Sequence, residues 1–244
     1  MKVEILNIPI EKITLNEATV KLHKFLETDK HNIIITPNPE IVMLAQKDKE
    51  LFKIINKADL VVADGIGLVI ASRLLKNKLP ERVAGADLVQ TFLSTAKNGT
   101  TIYLLGSKDG VAKKAAQNIN KKHKNISVVG YHSGYFSQNS EKLILDEIIK
   151  LKPNVVLVGL GAPKQEKWIY KHHKLLPCGF SIGVGGVIDI YAGVVKRAPI
   201  LFIALNLEWF YRLLTNPKRI KRLGSIPIFF LKILFIKFLK ILKN

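Results

Sequence analysis

From residue 31 onward, short apolar runs bounded by turn residues alternate with longer amphipathic stretches, and this alternation constrains the fold more than any other feature of the chain. The apolar runs predict strands at 31–35 (HNIII), 60–63 (LVVA), 101–105 (TIYLL), 126–130, 155–158 (VVLV) and 180–183, after a first strand at 3–7. Helices are expected at 16–27, 39–57 with a break, 66–77, 85–97, 109–123, 139–151, 163–174 and 204–215. Strands that alternate with helices predict an α/β fold: a mostly parallel, Rossmann-like doubly wound sheet with helices on both faces. The strands are nearly all apolar, as a sheet covered on both faces requires.

In such a sheet, ligands bind outside the carboxyl ends of the strands. The segments found there are "TPNPE" (36–40), "DGIG" (64–67), "GSKDG" (106–110), "YHSGYF" (131–136), "GLGAPKQE" (159–166) and "VGGVIDIYAG" (184–193). They hold small residues, amides, hydroxyls and few charges, and together they form one candidate rim. Asp64 stands where an apolar strand turns into a helix, and there it is either a helix cap or a working carboxylate. Thr36 and Asn38 offer a hydroxyl and an amide to sugar groups, or else form a turn and N-cap. Lys164 and Gln165 open a helix, whose N-terminus favours anions. Gly183, Gly185 and Gly186 permit close approach of backbone to a ligand. Asp189 can accept from a ribose hydroxyl or a base edge, and Tyr135 can stack on a base or join the core.

Several functions are disfavoured. Gly65-Ile66-Gly67 lacks the third glycine of a dinucleotide fingerprint, since position 70 is Ile70, and no P-loop lysine motif occurs. There is no cysteine–histidine cluster with zinc spacing, and no Asp-x-Asp pair of the kind that holds a sugar nucleotide through a metal. No cofactor is therefore expected. The single cysteine, Cys178, excludes a disulfide framework and fits a reducing compartment. The N-terminus lacks the apolar run of a signal peptide.

The chain carries a formal net charge of +19 over 244 residues, so polyanions are its natural partners. Ten of its Lys and Arg residues fall between Arg197 and Asn244, against one acid, Glu208. The segment "IPIFFLKILFIKFLKILKN" is almost all Ile, Leu, Phe and Lys, and its lysines share one helical face. A lysine at mid-membrane costs about 2.5–3.5 kcal/mol, so a helix lying in the interface of an anionic membrane is expected, not a span. Nucleic acid is the weaker partner, because large aliphatic residues, not stacking ones, dilute the charge. Residues 1–195 are read as an α/β catalytic core and 196–244 as a basic, amphipathic, membrane-associating appendage. Arg212, Arg219 and Arg222 beside this anchor suit a diphosphate at the bilayer surface. A detached tail would expose apolar surface, so a homo-oligomer is expected.

In order along the chain, "TPNPE", "ADG.G", "ERVAGADL" (81–88), "LLGS", "HSGYF", "VGLGAPKQEKW", "GVGGVIDIYAG.VKRAP" and "LEWFYRLLTNPKR" resemble the WecG/TagA/CpsF glycosyltransferases, glycosyltransferase family 26, and fit its TagA branch best. The resemblance covers roughly residues 5–225. It implies a UDP-N-acetylmannosamine donor and an N-acetylglucosaminyl-diphospho-undecaprenol acceptor. It also implies a β-1,4 product formed with inversion, without a metal, at the cytoplasmic face of the membrane during wall teichoic acid linkage synthesis. Carried over by position, the family's pocket falls on Thr36, Asn38, Asp64, Arg82 and Gln165, with nucleotide contacts near Tyr135, the 183–186 loop and Asp189. Its basic appendage matches Arg212, Arg219 and Arg222. Many relatives carry Phe at the position of Val187 or Ile188, a departure that touches packing there. Asp64 is the expected general base; Arg82, with Lys196 or Arg197, is expected to stabilise the leaving diphosphate, although Arg82 can instead pair with Asp87 or Glu81. Other readings are a family member using a uronic acid or hexose donor, a nucleotide-binding oxidoreductase, and a non-enzymatic basic binder.

Overall fold

The computed structural model describes residues 1–215 and 224–242. Its centre is a six-stranded, wholly parallel sheet made of β3 (Asn32–Ile35), β4 (Leu60–Val61), β5 (Thr100–Gly106), β6 (Ile126–His132), β7 (Val155–Gly159) and β8 (Phe180–Gly183), in the order β4-β3-β8-β7-β5-β6. Side chains of a strand alternate between faces, and both faces here are buried. Ile33, Ile35, Val61, Tyr103, Leu105, Val156 and Val158 enter one apolar cluster. Ile34, Leu60, Ile102, Leu104, Val155, Leu157 and Ile182 enter the other.

On the first face lie α2 (Pro39–Ala45), α3 (Lys49–Lys57), α4 (Ile66–Leu74), α7 (Gln138–Leu151) and α8 (Lys164–His172). On the second lie α1 (Leu15–Phe25), α5 (Gly85–Thr95), α6 (Val111–Lys122) and α9 (Val187–Tyr191). Helices from the adjacent strands β7 and β5, and from β7 and β8, therefore leave to opposite faces. Strand ends that part in this way open a crevice over the carboxyl edge of the sheet.

Two expected elements differ in the structure, and one helix, α9, is added. The single strand at 3–7 is a hairpin of β1 (Lys2–Ile5) and β2 (Ile8–Glu11). Its turn, Leu6-Asn7, has φ of 51° and 60°, a two-residue geometry usually signalled by Asn-Gly, so the sequence hid it. The helix expected at 204–215 is two helices, α10 (Ile200–Ala204) and α11 (Glu208–Thr215), separated at Asn206, whose φ of 58° ends the first. The five-residue α9 is too short to show a helical period.

The C-terminal helix, α12 (Ser225–Leu242), is not detached. It packs on α2 and α4, with Phe229 and Ile233 fully buried in the first cluster. At 100° per residue these two lie about 40° apart. Ile228, Leu231, Leu234, Phe235, Phe238, Leu239 and Leu242 are exposed on the opposite side, within an arc of about 140°. The helix thus shows the outside a continuous apolar face, while Lys237 is half-buried and lies toward the docked side. Among the described residues, no helix is long and apolar enough to cross a membrane.

Candidate active site

Helices α2 and α4 begin almost in contact, and glycine is what lets them. A Cβ at Gly65 would lie 2.6 Å from Pro39 Cδ and 3.1 Å from Asn38 Cβ, and one at Gly67 would lie 2.6 Å from Pro39 Cγ. The glycines of "DGIG" thus serve helix packing. Gly65, not Asp64, is the N-cap of α4, and no side chain caps that helix. Asp64 is half-buried and its backbone N–H donates to Pro37 O at 3.0 Å. Asn38 does cap α2: its Oδ1 accepts from the Ile41 N–H at 2.9 Å, which leaves the Nδ2 donors.

Arg82 arrives from the connection between α4 and α5. Its neighbour Val83 donates to Ala63 O at 2.9 Å, which lays this segment beside the end of β4. The result is a cavity of about 380 Å³ that Asn38, Glu40, Asp64 and Arg82 line from the sheet side. The far wall consists of Asn206, Glu208, Trp209 and Leu213 from the α10–α11 region and Ile226 and Phe230 from α12. Across it, Arg82 Nη2 pairs with Glu208 Oε2 at 3.0 Å and lies 3.8 Å from Asp87. The Arg82 and Glu208 side chains are only 11% and 8% exposed, so this contact is largely dry. Glu81 is not Arg82's partner; it accepts from the Leu15 N–H at 2.6 Å. Arg197 is engaged by Asp87 and, at 3.2 Å, by Gln90. Glu40, Glu208 and the apolar far wall were not named as site residues, although Glu40 lies in "TPNPE" and Glu208, Trp209 and Leu213 in "LEWFYRLLTNPKR"; Ile226 and Phe230 had no such signal.

Thr36 does not line this cavity. It is buried against the start of α5, its hydroxyl 2.9 Å from where a Cβ of Gly85 would stand. The remaining predicted residues form a second assembly over β5, β7 and β8. Gln165 is 5% exposed, and its Oε1 accepts from the N–H groups of Gly161 (3.2 Å) and Gly185 (3.1 Å), tying together the loops after β7 and β8. A Cβ at Gly183 would stand 2.6 Å from Gln165 Nε2, so only glycine fits there. The Asp189 carboxylate accepts from Ser107 Oγ, and Ser107 O in turn accepts from the Gly134 N–H at 2.8 Å. Ser107 itself has φ of 64°, an uncommon conformation for a residue with a side chain, and it was not singled out from the sequence. Around this locked base, Gly185 faces open space, Gly186 and Lys164 are exposed, and Tyr135 is 76% exposed. Space, backbone amides, a helix start and a free aromatic ring there suit a nucleotide diphosphate. Arg212 belongs to α11; its side chain, Arg219 and Arg222 lie outside the described residues.

A parallel doubly wound sheet with such a divided rim defines a Rossmann-like α/β protein with an open crevice over β5, β7 and β8 beside a second, partly apolar cavity. The model of the glycosyl transferase WecG/TagA/CpsF family matches residues 3–242, and the chain belongs to that family. It is 40% identical over 230 residues to the N-acetylglucosaminyldiphosphoundecaprenol N-acetyl-beta-D-mannosaminyltransferase of Bacillus subtilis (strain 168), covering 93% of this chain and 89% of the relative. It is 39% identical over 236 residues to the protein of the same name from Staphylococcus aureus (strain NCTC 8325 / PS 47), covering 95% and 92%. The chain is thus a glycosyltransferase.

Proposed function

We propose that this enzyme moves N-acetylmannosamine from its UDP donor to N-acetylglucosaminyl-diphospho-undecaprenol, in the linkage unit of wall teichoic acid. The observation that carries the reading is the pairing of two sites on one sheet edge: an open crevice with an exposed helix start and aromatic ring, suited to a nucleotide, beside a cavity that holds Asp64. The names of the relatives supply the sugar and the lipid, and the net charge of +19 suits two diphosphate substrates.

In the proposed step, Asp64 takes the proton from the acceptor hydroxyl as that oxygen bonds to the anomeric carbon. The bond from that carbon to the UDP oxygen breaks, UDP leaves with the electron pair, and the configuration inverts to a β-1,4 linkage. The family resemblance implies that no metal takes part. The exposed Lys164 at the N-terminus of α8 and the exposed backbone at Gly186 offset the charge on the leaving diphosphate. Arg82 is committed to Glu208 in this structure, so its role in the proposal is to join the cavity to the appendage and to reach an anion once that pair loosens. The aliphatic wall of Trp209, Leu213, Ile226 and Phe230 suits the polyprenyl end of the acceptor.

The outward apolar face of α12 would rest on the anionic cytoplasmic face of the membrane, with residues 196–244 as the associating appendage and Arg212, Arg219 and Arg222 near the lipid diphosphate. Removing the tail after Ala198 is a poor test, because it strips Phe229 and Ile233 from the core. A panel assay is better: UDP release with UDP-N-acetylmannosamine, UDP-N-acetylglucosamine and UDP-N-acetylmannosaminuronate, each with a short-chain N-acetylglucosaminyl-diphospho-polyprenol. Acceptor-dependent release confined to the first donor is expected. Equal or greater release with another donor reassigns the sugar, and release from none overturns the transferase reading.

A further inference from the structure

The Gln165 amide sits between the two loops assigned above to the donor, and its orientation is fixed by what surrounds it. Two backbone N–H groups, of Gly161 and Gly185, require an acceptor, so the amide oxygen must face them. The nitrogen is then forced to the other side, against Gly183, where no side chain fits. There it donates to Glu166 Oε1 at 2.8 Å. Glu166 is the next residue along α8 and is 2% exposed. Its other oxygen, Oε2, is wholly buried with no hydrogen-bond partner among the described residues. Burial pushes this carboxyl above the usual carboxylate range, and the bond from Gln165 and the backbone N–H of Glu166 itself only partly offset that. A buried carboxyl oxygen without a partner is costly. Glu166 makes no ion pair among the described residues to offset that cost, and its one hydrogen bond to another side chain there goes to Gln165.

We infer that Glu166 is a positioning residue for the donor: through the Gln165 amide it sets the spacing of the Gly161 and Gly185 loops that hold the nucleotide diphosphate. The inference rests on the reading of those loops as the donor site. Glu166 is 2% exposed and does not line the cavity around Asp64, so its loss acts on donor binding through Gln165 and leaves that cavity intact.

The test measures KM for UDP-N-acetylmannosamine and for the lipid acceptor, together with UDP affinity by calorimetry, in the full chain. Glu166→Leu, which removes the acceptor for the Gln165 amide, is expected to raise donor KM about tenfold, the size of one well-placed hydrogen bond. Acceptor KM should stay within about twofold, as expected for uncoupled sites. Glu166→Gln, which again offers a carbonyl to Gln165, should recover most of the lost donor affinity. Gln165→Glu keeps an oxygen for both glycines but has no N–H for Glu166. The double variant Gln165→Glu/Glu166→Leu should then bind donor no worse than Gln165→Glu alone. This cycle is read as UDP affinity, so it stays informative if Glu166→Leu folds but no longer turns over; if Glu166→Leu does not fold, Gln165→Glu alone is read, with weakened UDP binding at unchanged acceptor KM expected and unchanged UDP binding overturning the inference. Unchanged donor KM in Glu166→Leu, or fully additive losses in the double variant, would overturn the inference. Absence of UDP binding by the unaltered protein would overturn the donor-site reading and the inference with it.

Discussion

Over β3 and β4 the rim is assembled from distant parts of the chain, whereas over β5, β7 and β8 it is closed on itself. The first side places Asp64 and Arg82 opposite Glu208 and Trp209, and the Arg82–Glu208 contact spans 126 residues. The second side is a run of short loops bonded to one another through Gln165, Ser107 and Asp189. In the proposed function this difference separates two tasks: a rigid, preformed bed for the nucleotide, and a cavity with an apolar wall for the lipid-borne acceptor.

If the first side depends on long-range closure, breaking Arg82–Glu208 should have the largest effect on stability. Glu208→Ala leaves a nearly buried guanidinium with, among the described residues, only the longer contact to Asp87, and a loss of about 3 kcal/mol is expected in urea unfolding. A loss below about 0.5 kcal/mol would mean that the pair behaves as a solvated surface bridge. Next, Phe235→Glu with Phe238→Glu places two charges on the outer face of α12 without touching Phe229 or Ile233. Partition onto anionic vesicles should fall about 100-fold, with melting temperature held; undiminished partition would remove α12 from the membrane contact. Gly67→Ala drives a methyl into Pro39 and should cost about 1–3 kcal/mol with a raised acceptor KM. If it costs nothing, Pro39 gives way to the methyl and the α2–α4 contact does not depend on glycine.

The smallest effect is expected far from both sides, at the amino end of the sheet. Burial holds His31 down to about 4. Its neutral form stabilises the fold fully above the unfolded value near 6.5, and that contribution is lost as pH falls through the folded value. His31→Gln should therefore flatten the stability curve between those pH values by on the order of 2 kcal/mol, without shifting the pH dependence of donor KM. A change in that KM would show that the two ends of the sheet are coupled.

This contrast also decides what the sequence could show. The sheet was legible because its strands are continuous apolar runs, and the start of β8 or β7 could be placed within a residue. The loops after β7 and β8 were legible where partners lie within a short motif, as Gln165 reaches Gly161 on its own turn; Ser107 was not, because its partner Asp189 lies 82 residues away. The hairpin hid behind an unusual Leu6-Asn7 turn, and Glu208 hid because no local pattern announces a partner 126 residues away. The tail's period was visible, but which sector docks was not. Phe229 and Ile233 lie in the same half of the helix as its lysines, and only the surface of α2 and α4 selects them. Asp64 was ambiguous between cap and catalyst, and the placement of the α4 cap at Gly65 frees its carboxylate from that duty.

The central claim, that Asp64 is the base in a cavity distinct from the donor bed, is tested most directly by Asp64→Asn. UDP affinity, melting temperature and acceptor-dependent UDP release are measured on the same preparation. The account predicts unchanged UDP affinity and melting temperature with turnover lowered about 10²–10⁴-fold. Turnover within a fewfold of the unaltered enzyme, with the fold intact, would contradict it.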